Sequence, residues 1–245
     1  IGKTHLLDHL AAELAERGHT ITVVTSDAQA ESHFWQGRGA DGPPTCEAEP
    51  GMVVWRCATR GLPGGWRTLV GWRKAMVELS RLPGARAAWL ERMAQAIPRL
   101  RGLEACLRAL PPQDVIHGFN ISWEGPLVAA CREANERHTP YVVTPFTHLG
   151  RGLGDRVARN STMLHQLAIL RQAAGVLALT TVEADQLAGL GVAPERIVFG
   201  GRSMGGRMCS MAVAEGMPAA GLVLLSYPLH PPGKPEKLRT EHLPL

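Results

Sequence analysis

The sequence has no long apolar run and no segment typical of a secretory leader. Its longest uncharged apolar run extends from Pro218 to Leu229, about a dozen residues against the roughly 20 that a membrane-spanning helix needs. No basic segment followed by an apolar one opens the chain, which begins at Ile1 rather than Met. We therefore expect neither a transmembrane helix nor secretion. The 27 glycines and 18 prolines follow no period, which excludes a collagen-like chain.

The sequence also has few cysteines and no metal-binding pattern. Five are scattered singly, with no C-x-x-C pair and no ligand spacing, at positions 46, 57, 106, 131 and 209. An odd number fits a disulfide framework poorly. We predict free, mostly structural thiols in a cytoplasmic protein, and no metal site.

Lysine is rare, and positive charge is concentrated in one block. Residues 51–110 carry ten arginines, one lysine and three glutamates, although the whole chain has a net charge of only +4. Such a block is suited to peripheral contact with an acidic membrane or to a phosphorylated ligand; the alternative is a solvated Arg-rich helical face. The block holds four tryptophans but no nucleic-acid-binding motif, so we expect no nucleic-acid partner.

Hydrophobic periodicity alternates between helix and strand along most of the chain. It predicts strands at 20–25, 52–56, 114–117, 141–144, 176–180, 196–199 and 221–227. It predicts helices around Leu14 and at 123–137, 161–174, 183–190 and 203–215, with further helices in the Arg-rich region between prolines 83 and 98; the Gly/Pro-rich residues 37–50 are a connection. The fold class is therefore α/β, a Rossmann-like parallel sheet with helices on both faces, and ligands should bind at the carboxyl ends of its strands.

Four segments carry a resemblance to a known family: ELAERGHTITVVT at 13–25, DVIHG at 114–118, YVVTPFTHLG at 141–150 and AGVLALTTVEADQLAGLGVAPERIVFGG at 174–201. Together they resemble the N-terminal domain of GT-B-fold, family 4 (group 1) glycosyltransferases, and we assign residues 1–198 to such a domain. The resemblance implies the acceptor-side half of an enzyme that transfers a sugar from a nucleotide-sugar to a sugar or lipid-linked acceptor, with no further cofactor. The strand before the family's glycine-rich turn and the family's donor-binding domain have no counterpart in the sequence.

The same resemblance implies roles for four residues. His148, just past a strand end, matches the family's histidine near the sugar and is the predicted catalytic residue. Gly2 matches the glycine-rich turn, and His117 and Glu183 are further substrate-binding candidates. Each has a simpler alternative: His148 as a loop residue, His117 as the end of a strand and Glu183 as a capping carboxylate.

Residues 199–245 resemble a different family. Gly201-Arg202-Ser203-Met204-Gly205 fits G-x-S-x-G between a strand and a helix, similar to the nucleophile-elbow region of dienelactone-hydrolase-like α/β-hydrolases. The resemblance implies Ser203 as nucleophile and the Met204 N–H as an oxyanion-hole donor. The histidine at 242 precedes the position of the family's catalytic acid, so we do not expect a complete triad.

The two resemblances meet near residues 197–201, and we interpret the chain as a chimera. The fully apolar strand Leu222–Tyr227 is predicted to replace the missing central strand of the first domain. A glycosyltransferase-like protein is the favoured function; a serine esterase using Ser203 and a folded non-catalytic chimera are the alternatives. Gly2-Lys3-Thr4 resembles the end of a phosphate-binding loop without the rest of that motif, so an ATPase is least favoured. The sequence leaves the oligomeric state open.

Overall fold

The computed structural model describes residues 10–37, 42–49, 51–148, 150 and 155–243. Its α-helices are α1 (residues 10–16), α2 (His33–Gln36), α3 (Gly65–Ser80), α4 (Ala87–Ala94), α5 (Leu103–Ala109), α6 (Glu124–Arg137), α7 (Arg156–Arg159), α8 (Leu164–Gln172), α9 (Thr181–Gly189) and α10 (Met204–Ala214). Its strands are β1 (Ile21–Ser26), β2 (Thr45–Glu49), β3 (Met52–Cys57), β4 (Thr59–Arg60), β5 (Arg99–Leu100), β6 (Ile116–Phe119), β7 (Tyr141–Thr144), β8 (Gly175–Ala178), β9 (Ile197–Arg202) and β10 (Gly221–Leu225).

The larger sheet has five strands in the order β10-β9-β8-β7-β6, and every pairing is parallel. Helices connect successive strands and flank the sheet. All four residues of β8 are buried, because a central strand of a parallel sheet is covered on both faces. The α/β, Rossmann-like fold class is confirmed.

A second sheet has the order β1-β3-β2, with β1 parallel and β2 antiparallel to β3. The predicted connection over residues 37–50 is wrong in part, because strand β2 lies within it. Its polar residues do not form an apolar run, and cross-strand partners support it instead. Glu47, for example, forms an ion pair of 3.2 Å with Arg56 of β3.

Strand β10 does not replace a central strand. It pairs in parallel with β9 at the outer edge of the five-stranded sheet, with Gly221 opposite Val198, so the predicted central position of Leu222–Tyr227 is wrong. The physical reason is the short connection: α10 packs on both β9 and β10, and a compact β-α-β unit places its two strands side by side.

The main core lies between the five-stranded sheet and its helices, around fully buried side chains such as Met76, Leu127 and Phe199. A smaller cluster, Phe146 and Leu225, lies near the carboxyl ends of the strands and packs against Leu10. All five cysteines are free, and only Cys46 is exposed. Within the described ranges, no helix combines the length and apolar character needed to cross a membrane.

Candidate functional site

Parallel pairing brings the carboxyl ends of β6 to β10 to one edge of the sheet, and this edge carries most of the predicted site residues. His148 follows β7, Glu183 lies in the first turn of α9 after β8, and Ser203 follows β9. His117 lies within β6. Gly2 lies outside the described residues. Ligands of open parallel sheets bind at this kind of edge.

His117 is a largely enclosed, neutral histidine. Its Nε2 atom lies 2.9 Å from Thr144 Oγ1 on the neighbouring strand, and its ring stacks on Phe119 with the centroids 4.1 Å apart. Burial lowers the pKa of His117 to about 4, because charging an imidazole away from water is costly. At neutral pH it therefore acts as an uncharged hydrogen-bonding group.

His117 lines a cavity of about 290 Å³. At the carboxyl end of the strands the same cavity is lined by Ser26, Phe34, Asn120 and Trp123. The rings of Phe34 and Trp123 lie 4.6 Å apart. Aromatic walls with a few convergent polar groups are typical of small-molecule sites.

Sequence reasoning missed all four residues at the carboxyl end of the cavity, which are Ser26, Phe34, Asn120 and Trp123. Asn120 has a φ of 70°, a left-handed conformation that asparagine adopts more readily than most residues. Asn120 directly follows the observed strand β6 but lies three residues beyond the predicted strand 114–117, so the sequence did not point to it. Phe34 belongs to a four-residue helix without hydrophobic periodicity, and only the folded chain brings it to Trp123.

His148 is an exposed residue on the loop after β7 and is not among the described residues that line this cavity. The loop is fixed by Glu183. One carboxylate oxygen of Glu183 accepts hydrogen bonds from the Thr147 N–H and Oγ1, both at 2.8 Å, and the other accepts from the Leu179 N–H at 3.0 Å. Glu183 is 5% exposed, and both of its carboxylate oxygens accept hydrogen bonds from the protein itself. Its predicted contact with substrate stays a prediction.

Ser203 lies in a strained turn between β9 and α10. Its φ of 54° and ψ of −119° are unfavourable for a residue with a side chain. The turn brings Gly201 and Gly206 too close for side chains: a Cβ atom on Gly201 would lie 2.6 Å from the Gly206 nitrogen, and one on Gly206 would lie 2.6 Å from the Gly201 carbonyl oxygen. Ser203 and Met204 are exposed, and the Met204 N–H lies at the first helical position, where N–H groups have no partner within the helix.

No histidine of the described residues is hydrogen-bonded to Ser203. His242 Nε2 instead lies 2.8 Å from Ser210 Oγ and 3.0 Å from the Tyr227 hydroxyl, two helical turns along α10. His230 Nδ1 lies 3.1 Å from the carbonyl oxygen of its neighbour Pro231. The described part of the chain therefore holds the turn without assembling a Ser–His–acid arrangement around it.

A buried polar network supports the loop between β6 and α6. Arg73 donates to both carboxylate oxygens of Glu124 at 3.0 and 3.1 Å and to the Ser122 carbonyl at 2.8 Å. Gln166 donates to Glu124 at 3.0 Å and to the Ile121 carbonyl at 2.9 Å. This network holds the loop that presents Asn120 and Trp123 to the cavity. The described residues include no group of three or more side chains placed to hold a metal ion.

Comparison with known families gives two matches. A family model described as a glycosyl transferase 4-like domain matches residues 4–200, and one described as an alpha/beta hydrolase domain matches residues 172–245. Both predicted resemblances are thereby confirmed. The two matches overlap over residues 172–200, from the end of α8 into β9, and the hydrolase match begins well before residue 199. No curated protein matches the chain.

Proposed function

This chain belongs to the glycosyl transferase 4-like family over residues 4–200, and we propose that it forms the acceptor-side domain of a GT-B-type glycosyltransferase. In this proposal a sugar or lipid-linked acceptor occupies the carboxyl end of the cavity, and a nucleotide-sugar is the donor. A second, donor-binding domain supplies the groups that stabilise the leaving nucleotide diphosphate. The observation that carries the proposal is the cavity wall of His117, Asn120 and the Phe34–Trp123 pair at the carboxyl ends of parallel strands.

Glycosyl transfer requires the acceptor hydroxyl to be held in line with the anomeric carbon of the donor. A neutral His117 can donate a hydrogen bond to a sugar hydroxyl or accept one from it. The rings of Phe34 and Trp123 offer apolar contact to a sugar ring. His148, on the loop fixed by Glu183, is our proposed catalytic residue at the donor side. Residues 1–198 act as the transferase domain and residues 199–245 as a hydrolase-like addition.

The proposal is tested by equilibrium binding, followed by the tryptophan fluorescence of the chain. With UDP-glucose, GDP-mannose and a panel of alkyl glycosides as probes, we expect saturable binding to at least one member. His117→Ala should weaken glycoside binding, and His148→Ala should weaken nucleotide-sugar binding; His19→Ala changes an exposed histidine outside the site and should have no effect. Absence of binding at millimolar concentration of every probe would favour the non-catalytic chimera.

Glu183→Gln is expected to loosen the loop that carries His148. The variant keeps one acceptor oxygen and turns an amide N–H₂ toward backbone donors, which costs about 1–3 kcal/mol. Hydrogen exchange at the Thr147 and Leu179 amides, which both donate to Glu183, should then accelerate about tenfold or more. The exposed Glu195→Gln is the matched control, and equal exchange in both variants would contradict the role assigned to Glu183.

A serine hydrolase is the second candidate, because residues 172–245 match an alpha/beta hydrolase domain and Ser203 has the backbone of a strained strand-to-helix turn. A serine nucleophile needs a neighbouring base, and both described histidines of the C-terminal tail are bonded elsewhere. We expect a fluorophosphonate probe to label the protein no more than the Ser203→Ala variant. Labelling that is lost in Ser203→Ala would show an activated nucleophile and would make the hydrolase-like addition a serine hydrolase.

We also infer a cytoplasmic protein that contacts acidic membranes through residues 51–110. Trp66, Trp89 and Leu82 are 54%, 48% and 58% exposed, among exposed basic side chains of α3 and α4. Exposed aromatic and basic residues are suited to an anionic lipid surface. The protein should sediment with phosphatidylglycerol vesicles but not with phosphatidylcholine vesicles. The double variant Trp66→Ser, Trp89→Ser should no longer sediment with phosphatidylglycerol vesicles. Equal sedimentation with both lipids, or with neither, would contradict this inference.

A further inference from the structure

Cys46 and Cys57 lie on the same face of the three-stranded sheet. Strand β2 pairs with β3 so that Cys46 is opposite Trp55. Directly opposed residues of an antiparallel pair share a face, and so do residues two apart along one strand. Cys57, two residues after Trp55, is therefore a diagonal neighbour of Cys46.

Helix α5 brings Cys106 to these two cysteines. Pro44 directly precedes β2 and comes opposite Cys57 when the register of β2 and β3 is continued by one residue. The Pro44 ring lies against Gly102, where an added Cβ would be 3.0 Å from the Pro44 Cγ. Gly102 is the N-cap residue of α5, and its carbonyl accepts a hydrogen bond from the Cys106 N–H at 2.8 Å. The Cys106 sulfur in turn accepts a hydrogen bond from the Cys57 thiol.

The three thiols differ in their access to solvent. Cys46 is exposed, whereas Cys57 is fully buried and Cys106 is 7% exposed. Burial raises the pKa of Cys57 to about 12. Burial also raises the pKa of Cys106, and the hydrogen bond from Cys57 offsets part of that rise. Because the thiolate is the reactive form, a dissolved oxidant reacts first with Cys46, and Cys106 is the better nucleophile of the buried pair.

We propose that a hydroperoxide converts Cys57 and Cys106 into a disulfide, and that Cys46 is the thiol on which the oxidant acts first. An exposed thiol next to a second thiol that can displace its oxidised form is the arrangement of thiol redox sensors. Here the second thiol has a third as its neighbour, so the bridge can move from the surface into the interior. The other two cysteines, Cys131 and Cys209, lie on α6 and α10 in the core of the five-stranded sheet and should stay reduced.

The proposed oxidation has three steps. In the first, the Cys46 sulfur attacks the hydroperoxide: the O–O bond breaks, an S–O bond forms, and the products are a sulfenic acid and an alcohol that takes the thiol proton. In the second, the Cys106 thiolate attacks the Cys46 sulfur, and hydroxide leaves as water with the Cys106 proton. In the third, the Cys57 sulfur attacks Cys106, the Cys46 thiolate leaves, and the Cys57 proton passes to it. In total, two thiols lose two electrons and two protons, and one hydroperoxide is reduced to alcohol and water.

The bridge would join the two ends of the segment that carries α3 and α4. This segment, residues 58–105, includes most of the Arg-rich block of the sequence. Closing a long segment into a loop reduces the freedom of the unfolded chain and thereby favours the folded state, provided that the native structure accommodates the bridge. Oxidation should therefore raise the urea concentration at which the protein unfolds.

The test is mass spectrometry of the full chain after treatment with hydrogen peroxide, blocking of the remaining thiols with N-ethylmaleimide and digestion with trypsin. Tryptic cleavage places Cys57 and Cys106 in the peptides 57–60 and 102–108, which should be recovered as one linked pair, and dithiothreitol should separate them. The oxidised protein should also unfold at a higher urea concentration than the reduced protein. Absence of the linked pair, or an unfolding midpoint that does not rise, would overturn the proposal.

Two variants test the path of the oxidation. Cys46→Ser should slow formation of the linked pair about tenfold or more, because the buried thiols must then react with the oxidant directly; Cys131→Ser is the matched control and should leave the rate unchanged. Cys57→Ala should stop the reaction at a bridge between Cys46 and Cys106, which links the peptides 39–56 and 102–108. An unchanged rate in Cys46→Ser would overturn the proposal, and so would sulfinic acid at Cys46 without any bridge in Cys57→Ala. If Cys57→Ala does not fold, the rate in Cys46→Ser decides.

Discussion

Replacement of Arg73 by methionine is expected to lower the free energy of unfolding by about 3–5 kcal/mol, the cost typical of removing one partner of a buried ion pair. Glu124 is fully buried, and the Arg73 side chain is only 18% exposed. Without the guanidinium, the Glu124 carboxylate stays in the interior, and the Ser122 and Asn160 carbonyls lose a donor as well. Lysine cannot restore this pattern, since its single ammonium group cannot donate in a planar fork.

Urea unfolding at pH 8, where the carboxylate is ionised, measures the effect. Arg67→Met, an exposed arginine of the same helix, is the matched control and should change stability by less than about 0.5 kcal/mol. Arg73→Met combined with Glu124→Leu should recover part of the loss, because no charge is then left buried. A loss below about 1 kcal/mol in Arg73→Met would show that the network does not hold the loop.

The Arg73–Glu124 network shows what sequence reasoning could not reach. Its members are 51 residues apart, and neither lies in a pattern with a known spacing. Local patterns did predict local structure: β7 has the predicted bounds, and G-x-S-x-G predicted a turn that the Ser203 backbone adopts. Contacts between distant segments, such as Phe34 with Trp123, arise only when the sheets assemble.

The position of β10 illustrates a different limit. An apolar run such as Gly221–Leu225 predicts a buried strand, but its composition does not say which strand it pairs with. In the structure four of its five residues are only half-buried, as expected at a sheet edge. The length of the connecting helix decided the pairing, and this information was in the sequence, since a single helix separates β9 from β10.

Acidification from pH 7 to pH 5 is expected to destabilise the protein through its buried neutral histidines. His165 is fully buried, and neither of its ring nitrogens has a partner among the described residues. Burial, with the nearby positive charge of Arg73, lowers the pKa of His165 to about 4. Below pH 6.5 the unfolded chain therefore binds a proton at His165 that the folded protein does not bind. The contribution of His165 to the free energy of unfolding is full above pH 6.5 and declines toward pH 4.

Other groups act in the same window. Burial also lowers the pKa of His117 to about 4. His117 therefore adds a further loss of stability on acidification. Glu124 acts in the opposite direction: burial raises its pKa to about 7 against the attraction of Arg73, so its contribution to stability is largest at low pH and is lost as the pH rises to 7. The pH dependence of wild-type stability is the sum of the contributions of these groups. The difference between the wild type and a variant that lacks one histidine isolates the contribution of that histidine.

His165→Phe should remove the contribution of His165. Compared with the wild type, this variant should lose about 2 kcal/mol less stability between pH 7 and pH 5, as follows from a pKa of about 4 in the folded state and about 6.5 in the unfolded state. Urea unfolding at both pH values gives the two differences. His165→Leu is a second variant without a titrating group, in case the larger phenylalanine ring does not fit the site. The exposed His19→Phe is the control and should show the pH dependence of the wild type. Equal pH dependence in His165→Phe, His165→Leu and the wild type would mean that His165 takes up its proton at the same pH in the folded protein as in the unfolded chain, which its complete burial opposes.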